Sequence, residues 1–349
     1  MNTYFITDTH FGMKGDSPIW LDDCIGYFKK VFIPYVKEHV KPEDCLISLG
    51  DVFDNRSNIG IETICRVIEL FEEFSEIFSQ IIIIVGNHDI FKKHSNDITS
   101  LNMLKHIPKI KIVYRPEVMN LGGKNILMLP WIEEVEEQKK LIKSHNVDYV
   151  FGHLEIGGCV TNSNKGMVLK TNNSIESKDF KKAQVYAGHI HIRQDYKNIH
   201  YLGNPYHKDR GDIGNTKGIT ILNIESGRTK FIENTFSPKY ISVDIHDILD
   251  TTIEELKPQW KNNYVDLVVD SKEVTECNFE TVRELLKDYY REFKVDSKNK
   301  QPLLQTTTDI ELSESKSAID HIDEYINQLD IDDDEKENII GVLKEYNER

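Results

Sequence analysis

The chain has 349 residues, 29% of them charged and 39% hydrophobic, with a formal charge of −15; a core domain with one or two smaller attachments is the expectation for that length. No apolar run approaches the roughly 20 residues of a membrane helix, no signal-peptide pattern precedes the first strand, and five scattered cysteines (Cys24, Cys45, Cys65, Cys159, Cys277) read as reduced thiols of a cytoplasmic protein. The acidic balance does not exclude DNA, though no broad basic patch announces it: residues 305–349 hold fourteen acidic and four basic side chains, a net −10, so the rest of the chain carries −5, most of which two divalent cations would offset.

In chain order, residues 1–10 form a strand ending in Asp8-Thr9-His10, and residues 11–24 read as a loop with an exposed Trp20. Leu21 to Val40 has apolar residues at helical spacing (Ile25, Phe28, Val31/Phe32, Tyr35/Val36), with a break expected at Pro34. Cys45 to Leu49 is a strand that delivers Gly50-Asp51-Val52-Phe53-Asp54. Ile61, Ile64, Ile68, Phe71 and Phe74 mark a second helix. Ile81 to Val85 follows, five β-branched residues without polar alternation, which is the signature of a strand buried on both faces. It stops at Gly86-Asn87-His88-Asp89. This β-α-β alternation is that of a layered α/β domain.

Leu101 to His106 reads as helical, Lys111 to Tyr114 and Asn125 to Leu129 as strands, and Glu133 to Ser144 as a charged helix. The strand at Tyr149 to Phe151 leads to Gly152-His153. Residues 157–178, rich in Gly, Asn, Ser and Lys, read as a long loop. Val185 to Ala187 leads to Gly188-His189-Ile190-His191. Tyr201 to Pro205 and Gly218 to Ile224 supply closing strands, and the first domain ends near Pro238. Residues 239–296 form a small α/β unit, with strands at Tyr240 to Ile245 and Tyr264 to Val269 and a helix from Phe279 to Phe293. Residues 297–316 are a polar linker. Residues 317–349 carry two short amphipathic helices (Ile319, Ile322, Tyr325/Ile326, Leu329; then Ile339/Ile340, Leu343, Tyr346), too acidic and too small to bury much alone and so suited to a partner.

Five apolar runs thus each deliver Asp, Asn or His to a strand end, where ligand sites of open α/β sheets collect. Taken singly, Asp8 or Asp51 would be a helix cap or turn residue, and Gly-Asp or Gly-His says almost nothing; the ordered set is what carries meaning. Asp8, His10, Asp51, Asn87, His153, His189 and His191 have the composition for two divalent transition ions such as manganese, with Asp51 as the natural bridge. A pair of ions about 4 Å apart can clamp both oxygens of an in-line phosphoryl displacement. His88 and Asp89 exceed that ligand count, and a histidine oriented by a carboxylate suits protonation of a leaving oxygen.

The set D-x-H, G-D-x-x-D, G-N-H-D, G-H and G-H-x-H over residues 8–191 resembles the calcineurin-like metallophosphoesterase superfamily. That resemblance implies a four-layer sandwich of two mixed sheets flanked by helices. It also implies one metal held by Asp8, His10, Asp51 and His191 and another by Asp51, Asn87, His153 and His189. The spacing of these motifs, with Tyr201-Leu202-Gly203-Asn204-Pro205 after the last, is similar to the SbcD-type DNA double-strand-break nucleases, and closest in look to their shorter phage relatives.

What this second resemblance implies is a manganese-dependent DNA exonuclease and endonuclease, dimeric, with residues 239–296 capping the nuclease domain and binding DNA. The C-terminal segment would dock on the coiled coil of an SbcC-type ATPase. Asp54 and Asn204 would flank the substrate. Asp54 departs from the cellular pattern, which has His there to help handle the phosphate, so proton transfer falls to His88. Two other classes remain open: a metallophosphatase or nucleotide phosphodiesterase, and a non-catalytic scaffold on the same fold, against which the complete ligand set argues.

Overall fold

The computed structural model describes residues 1–92, 95–162, 167–170, 174–249, 251–269, 283–284 and 286–297. The described residues belong to one compact unit, Met1–Lys298; the expected linker and paired helices of 297–349 lie, but for Ser297, outside the described residues.

Strand alternation explains the layers. In the run from Ile81 to Val85, Ile81, Ile83 and Val85 enter one apolar cluster and Ile82 and Ile84 another. All five are fully buried, and at about 1.5–3 kcal/mol per large apolar side chain no other short stretch gains more from an interior place. The strand Gln80–Ile84 accordingly sits inside a six-stranded mixed sheet, ordered Thr229–Glu233, Gly218–Asn223, Asn2–Ile6, Cys45–Ser48, Gln80–Ile84, Ile110–Val113. The last four run parallel. A second six-stranded sheet runs Gln194–Tyr196, Ile199–Tyr201, Gln184–Gly188, Tyr149–His153, Lys124–Leu129, Glu117–Leu121.

Phe5, Ile47, Ile82 and Ile84 of the first sheet meet Ile126, Met128, Phe151 and Tyr186 of the second. Behind the first sheet, helix Ile61–Ile77 buries Val67, Leu70, Phe71 and Phe74, one stripe at 3.6-residue spacing. Ile61 is not in that stripe; at the helix start it is exposed. Behind the second sheet, Val150, Val185 and Leu127 pack on Ile142 of helix Val135–Ser144 and on Phe180. The fold is thus the four-layer α/β sandwich. Among the described residues no helix is long and apolar enough to cross a membrane.

Several local expectations are corrected. The helix begins at Pro18, not Leu21, and does not break at Pro34: Pro18–Tyr27 passes through a wider turn, Phe28–Phe32, into Ile33–His39. In that turn the Ile33 N–H reaches back to the Phe28 carbonyl, and the local widening accommodates a proline with no N–H to give. Leu101 to His106 is only a 3₁₀ turn at Ser100–Met103. The 157–178 loop has structure of its own: a ribbon of Val160–Asn162 with Met167–Val168, and a 3₁₀ turn at Ser177–Phe180. Residues 163–166 and 171–173 of it lie outside the described residues.

The chain after Pro238 forms a three-stranded parallel sheet, Tyr240–Asp244, Tyr264–Val269 and Glu292–Ser297. The expected helix therefore cannot reach Phe293, which lies on the last strand against the buried Trp260, with ring centroids 5.6 Å apart; the stretch 270–282 lies outside the described residues. Trp20, read as exposed, is instead the joint to this sheet. Its ring stacks on Tyr264 at 5.4 Å and on Tyr240 at 6.3 Å. Beside it Arg291 pairs with both oxygens of Asp23, and Arg210 grips Asp266 at 2.8 and 2.9 Å.

Candidate metal centre

The strand ends deliver the predicted residues to one place. Asp8 and His10 follow Asn2–Ile6, Asp51 follows Cys45–Ser48, and Asn87 follows Gln80–Ile84; His153 ends its own strand, and His189 and His191 follow Gln184–Gly188. Asp8, His10, Asp51 and His189 all take positive φ, 51°, 44°, 52° and 91°. Such backbone is uncommon for non-glycine residues and collects at functional sites, where packing holds it in place. Two glycines make room. A Cβ on Gly86 would collide with the Asp51 carboxylate and backbone nitrogen, and one on Gly188 with the Thr7 hydroxyl.

The ligand atoms converge as three overlapping groups, each with its atoms within 4.8 Å of one another: Asp8, His10 and His191; His10, Asp51 and His88; Asp51, His153 and His189. Asp51 Oδ2 lies 3.8 Å from His10 Nε2 and 3.3 Å from His153 Nε2, so Asp51 stands between two sub-sites. Asn87 Oδ1 sits 2.8 Å from His153 Nε2 and 3.0 Å from His189 Nδ1. His10 Nε2 and His191 Nε2 face each other at 3.1 Å.

The outward nitrogens show that this is more than a polar cluster. His153 Nδ1 is held by the Leu49 carbonyl at 2.8 Å, His10 Nδ1 faces Asp54 Oδ1 at 3.1 Å, and His189 Nε2 faces Glu155 Oε2 at 3.4 Å. The His153 and His189 rings are hydrogen-bonded at the far nitrogen and His10 sets its own against a carboxylate, so each aims the near nitrogen inward, as metal-ligating histidines do. The charges agree. Burial opposes the ionised form of Asp51, yet the surrounding His153, His10 and His88 hold its carboxyl far below the usual range. Burial likewise opposes charge on His153, but Asp51 raises it to about 9. A centre that draws positive charge onto its own imidazole suits bound cations, and the mixed carboxylate, amide and imidazole donors suit divalent transition ions.

His88 lies beside this set, its ring edge-on to His10 at 4.8 Å between centroids. Its backbone N–H donates to Asp51 Oδ1 at 2.8 Å and its Nδ1 to the Asp54 carbonyl at 2.6 Å, leaving Nε2 as the nitrogen free for chemistry. Burial first, with His10 and Lys208 adding, pushes its pKa below the ordinary value.

Asp89 differs from its expected part as the carboxylate that orients His88. It is wholly buried and accepts backbone N–H groups of Asp51 (2.9 Å), Val52 (3.0 Å) and Gly86 (2.9 Å). It ties two ligand loops together, while the Asp54 carbonyl orients His88. Burial and the adjacent Asp51 raise the Asp89 carboxyl to about 7. Asn204, expected to flank substrate, is also buried, and its Oδ1 accepts from Lys217 Nζ at 2.5 Å. Asp54 does reach the rim, half-buried between His10 and Lys208.

Other residues at the centre escaped the sequence reading. Thr7 donates to Asp8 at 2.6 Å, Trp131 packs on His189 with centroids 4.9 Å apart, and Arg56 lines the opening with Trp131, Glu133 and Glu155. Lys217, Asp212 and Lys208 form a further group below and beside His191. Thr7 alone, adjacent to Asp8, carried a local signal.

Residues 1–193 match the family model described as calcineurin-like phosphoesterase. Among curated proteins, exonuclease subunit 1 of Enterobacteria phage T4 is 30% identical over 234 residues, 65% of this chain and 66% of that protein; the match thus spans just under two thirds of the relative's length. Among solved structures, a novel archaeal phosphodiesterase is 15% identical with a TM-score of 0.37, covering 67% of this chain and 100% of that one. Phosphopantetheinyl hydrolase from Mycobacterium tuberculosis is 13% identical with a TM-score of 0.34, covering 58% and 90%. At those scores neither adds to what the family match establishes.

Proposed function

We propose, since this chain belongs to the calcineurin-like phosphoesterase family, that it is a metal-dependent DNA nuclease. It would act as an exonuclease on duplex ends and an endonuclease on single strands, with an SbcC-type ATPase, in double-strand-break processing and recombination. The observation that carries a phosphoesterase reading is the convergence of seven strand-end donors on one place. The choice of DNA leans on the relative named as an exonuclease subunit and on the motif spacing.

In this reading Asp8, His10, Asp51 and His191 would hold one divalent ion and Asp51, Asn87, His153 and His189 another, with manganese the fitting choice. Ions bound there supply Lewis acidity to a phosphoryl oxygen and to the attacking water. The chain's own part is to place the phosphodiester and to move a proton. His88, its Nδ1–H fixed on the Asp54 carbonyl, would take a proton from water at Nε2 and pass it to the leaving oxygen, ending neutral as it began. Asp89 keeps the Asp51 and Gly86 backbones in register while this happens. Residues 239–296 would bind DNA, residues 317–349 the ATPase.

The test is digestion of end-labelled duplex and of single-stranded DNA with manganese or with chelator, in three proteins. Wild type should cut both substrates only with metal. His88→Ala should keep metal binding and lose about 10²- to 10⁴-fold in cleavage rate, and Asp51→Ala should lose both. A manganese-loaded wild type that spares DNA while hydrolysing phosphomonoesters would make the chain a phosphatase. Equal metal loss in the two variants would make His88 a ligand.

A further inference from the structure

A nuclease site must bring a polyanion up to a rim that already carries Asp54, Glu133 and Glu155. Lys208 stands at that rim. Its Nζ is 3.1 Å from Asp54 Oδ1, the same oxygen that faces His10 Nδ1 at 3.1 Å. Its side chain is 18% exposed and that of Asp54 27%, so this pair is neither sealed in the core nor loose in solvent. One ammonium therefore shares a carboxylate oxygen with His10 of the donor set.

The position of Lys208 is built, not incidental. Its backbone N–H donates to Asp212 Oδ2 at 2.7 Å. The other oxygen of Asp212 is paired with Lys217 Nζ, and that ammonium, almost wholly buried, also donates to the His191 carbonyl at 2.6 Å and to Asn204 Oδ1 at 2.5 Å. A buried ion pair is costly to assemble and serves best where it fixes a geometry. Here it fixes the backbone of Lys208 to the backbone of His191. Tyr206 adds a third tie, its hydroxyl donating to the Thr9 carbonyl between Asp8 and His10.

We propose that Lys208 is the substrate-phosphate cation of this centre: paired with Asp54 in the free protein, it turns its ammonium to an oxygen of the bound phosphodiester. This rests on the phosphoesterase reading above and deepens it. A lysine in this role acts as a point charge that follows the phosphate. Asp54 then retains His10 as its partner, so the carboxylate is never left alone when the ammonium moves. No bond is made or broken in the exchange.

The experiment compares wild type, Lys208→Met and Lys208→Arg, all as the full chain loaded with manganese. Three quantities are measured: manganese affinity, affinity for inorganic phosphate by calorimetry, and kcat and KM on bis(p-nitrophenyl) phosphate. Lys208→Met should keep manganese affinity within about twofold. It should weaken phosphate binding and raise KM by about 10- to 100-fold, the usual worth of a charged hydrogen bond; Lys208→Arg should recover most of both. Phosphate affinity and KM unchanged in Lys208→Met would overturn the proposal, and so would manganese affinity falling in step with phosphate affinity, since Lys208 would then only brace Asp54 and His10. If wild type binds phosphate but cleaves no diester, the nuclease reading falls, and the phosphate titration still decides the role of Lys208.

Discussion

The strand ends and the segment from Asn204 to Lys217 both reach the metal centre, but different forces hold them. Asp8, Asp51, Asn87 and His153 stand where they do because sheet register sets their backbones, and interior packing sustains the positive φ of Asp8, His10, Asp51 and His189. The 204–217 segment has 3₁₀ geometry only at Arg210–Asp212 and owes its place to side chains, above all Lys217 and Asp212. Backbone register leaves strand-end donors little freedom to move. A side-chain network places groups that must let go of one partner and take another.

The largest effect should come from breaking the first region with a single methyl group. Gly86→Ala puts a carbon on the Asp51 carboxylate and backbone nitrogen, so Asp51 must leave its place between the sub-sites. Since a displacement of about 1 Å at a reacting centre can cost about 10²-fold, cleavage should fall at least that far, with manganese affinity falling too. A Gly86→Ala protein with normal metal titration and normal rate would show that the strand ends are less rigid than their packing implies.

That difference also decides what could be read from the sequence. The run from Ile81 to Val85 announces a doubly covered strand because period-2 alternation needs apolar residues on both faces, and the residue after it inherits a strand-end position. Seven donors came from that logic, with the layered fold. Asp89 shared the same motif, but its contacts run to backbone N–H groups of Asp51 and Val52, and no local pattern reports a partner 37 residues away. Lys217 and Glu155 were invisible for the same reason. Phe293 was drawn into a helix because Phe279 to Phe293 can be given helical spacing, whereas a partner strand, Tyr264–Val269, decides its conformation. Pro34 taken alone signals a break, but the wider turn that precedes it lets the helix continue.

The second region is broken most sharply through its ion pair. Lys217→Met leaves Asp212 buried and unpaired, which should cost about 3–5 kcal/mol of stability, read as a lower urea midpoint. Adding Asp212→Leu removes the orphaned charge and should restore most of that loss. The double variant should still show raised KM on a small phosphodiester, because Asp212 also holds the Lys208 backbone. If stability and KM recover together, the pair stabilises the fold and positions nothing.

The smallest effect sharpens the comparison through pH. His207 lies in the same segment, buried, with Nδ1 accepting the Tyr240 N–H at 3.3 Å. Burial, with Lys217 and Lys239 adding and Asp212 opposing, lowers its pKa to about 4. Above about pH 6.5 the histidine is neutral folded or unfolded and contributes no pH dependence. As pH falls from there towards 4, the unfolded chain takes a proton that the folded one refuses, so stability declines by up to about 3 kcal/mol. His207→Asn, which keeps an acceptor near the Nδ1 position, should flatten unfolding free energy against pH in that window and leave pH 7.5 nearly unchanged. An unaltered slope would place the acid sensitivity elsewhere.

The first strand, Asn2–Ile6, lies inside its sheet, between Cys45–Ser48 and Gly218–Asn223. It leaves the ribosome before the strands on either side of it, and the side chain of Asn2 waits for Asn223, 221 residues later. At ~5–20 residues per second that is roughly 10–45 seconds with one edge uncovered, a strand edge being a template for unwanted pairing. Asp8 waits almost as long, since the His189 N–H that meets its carboxylate comes 181 residues later. Assembly of the donor set is therefore an end-point of synthesis and not a nucleus for it. A polypeptide cut short before Gly188 would have neither a closed sheet nor both sub-sites, so prematurely terminated copies would present bare strand edges rather than a half-active enzyme.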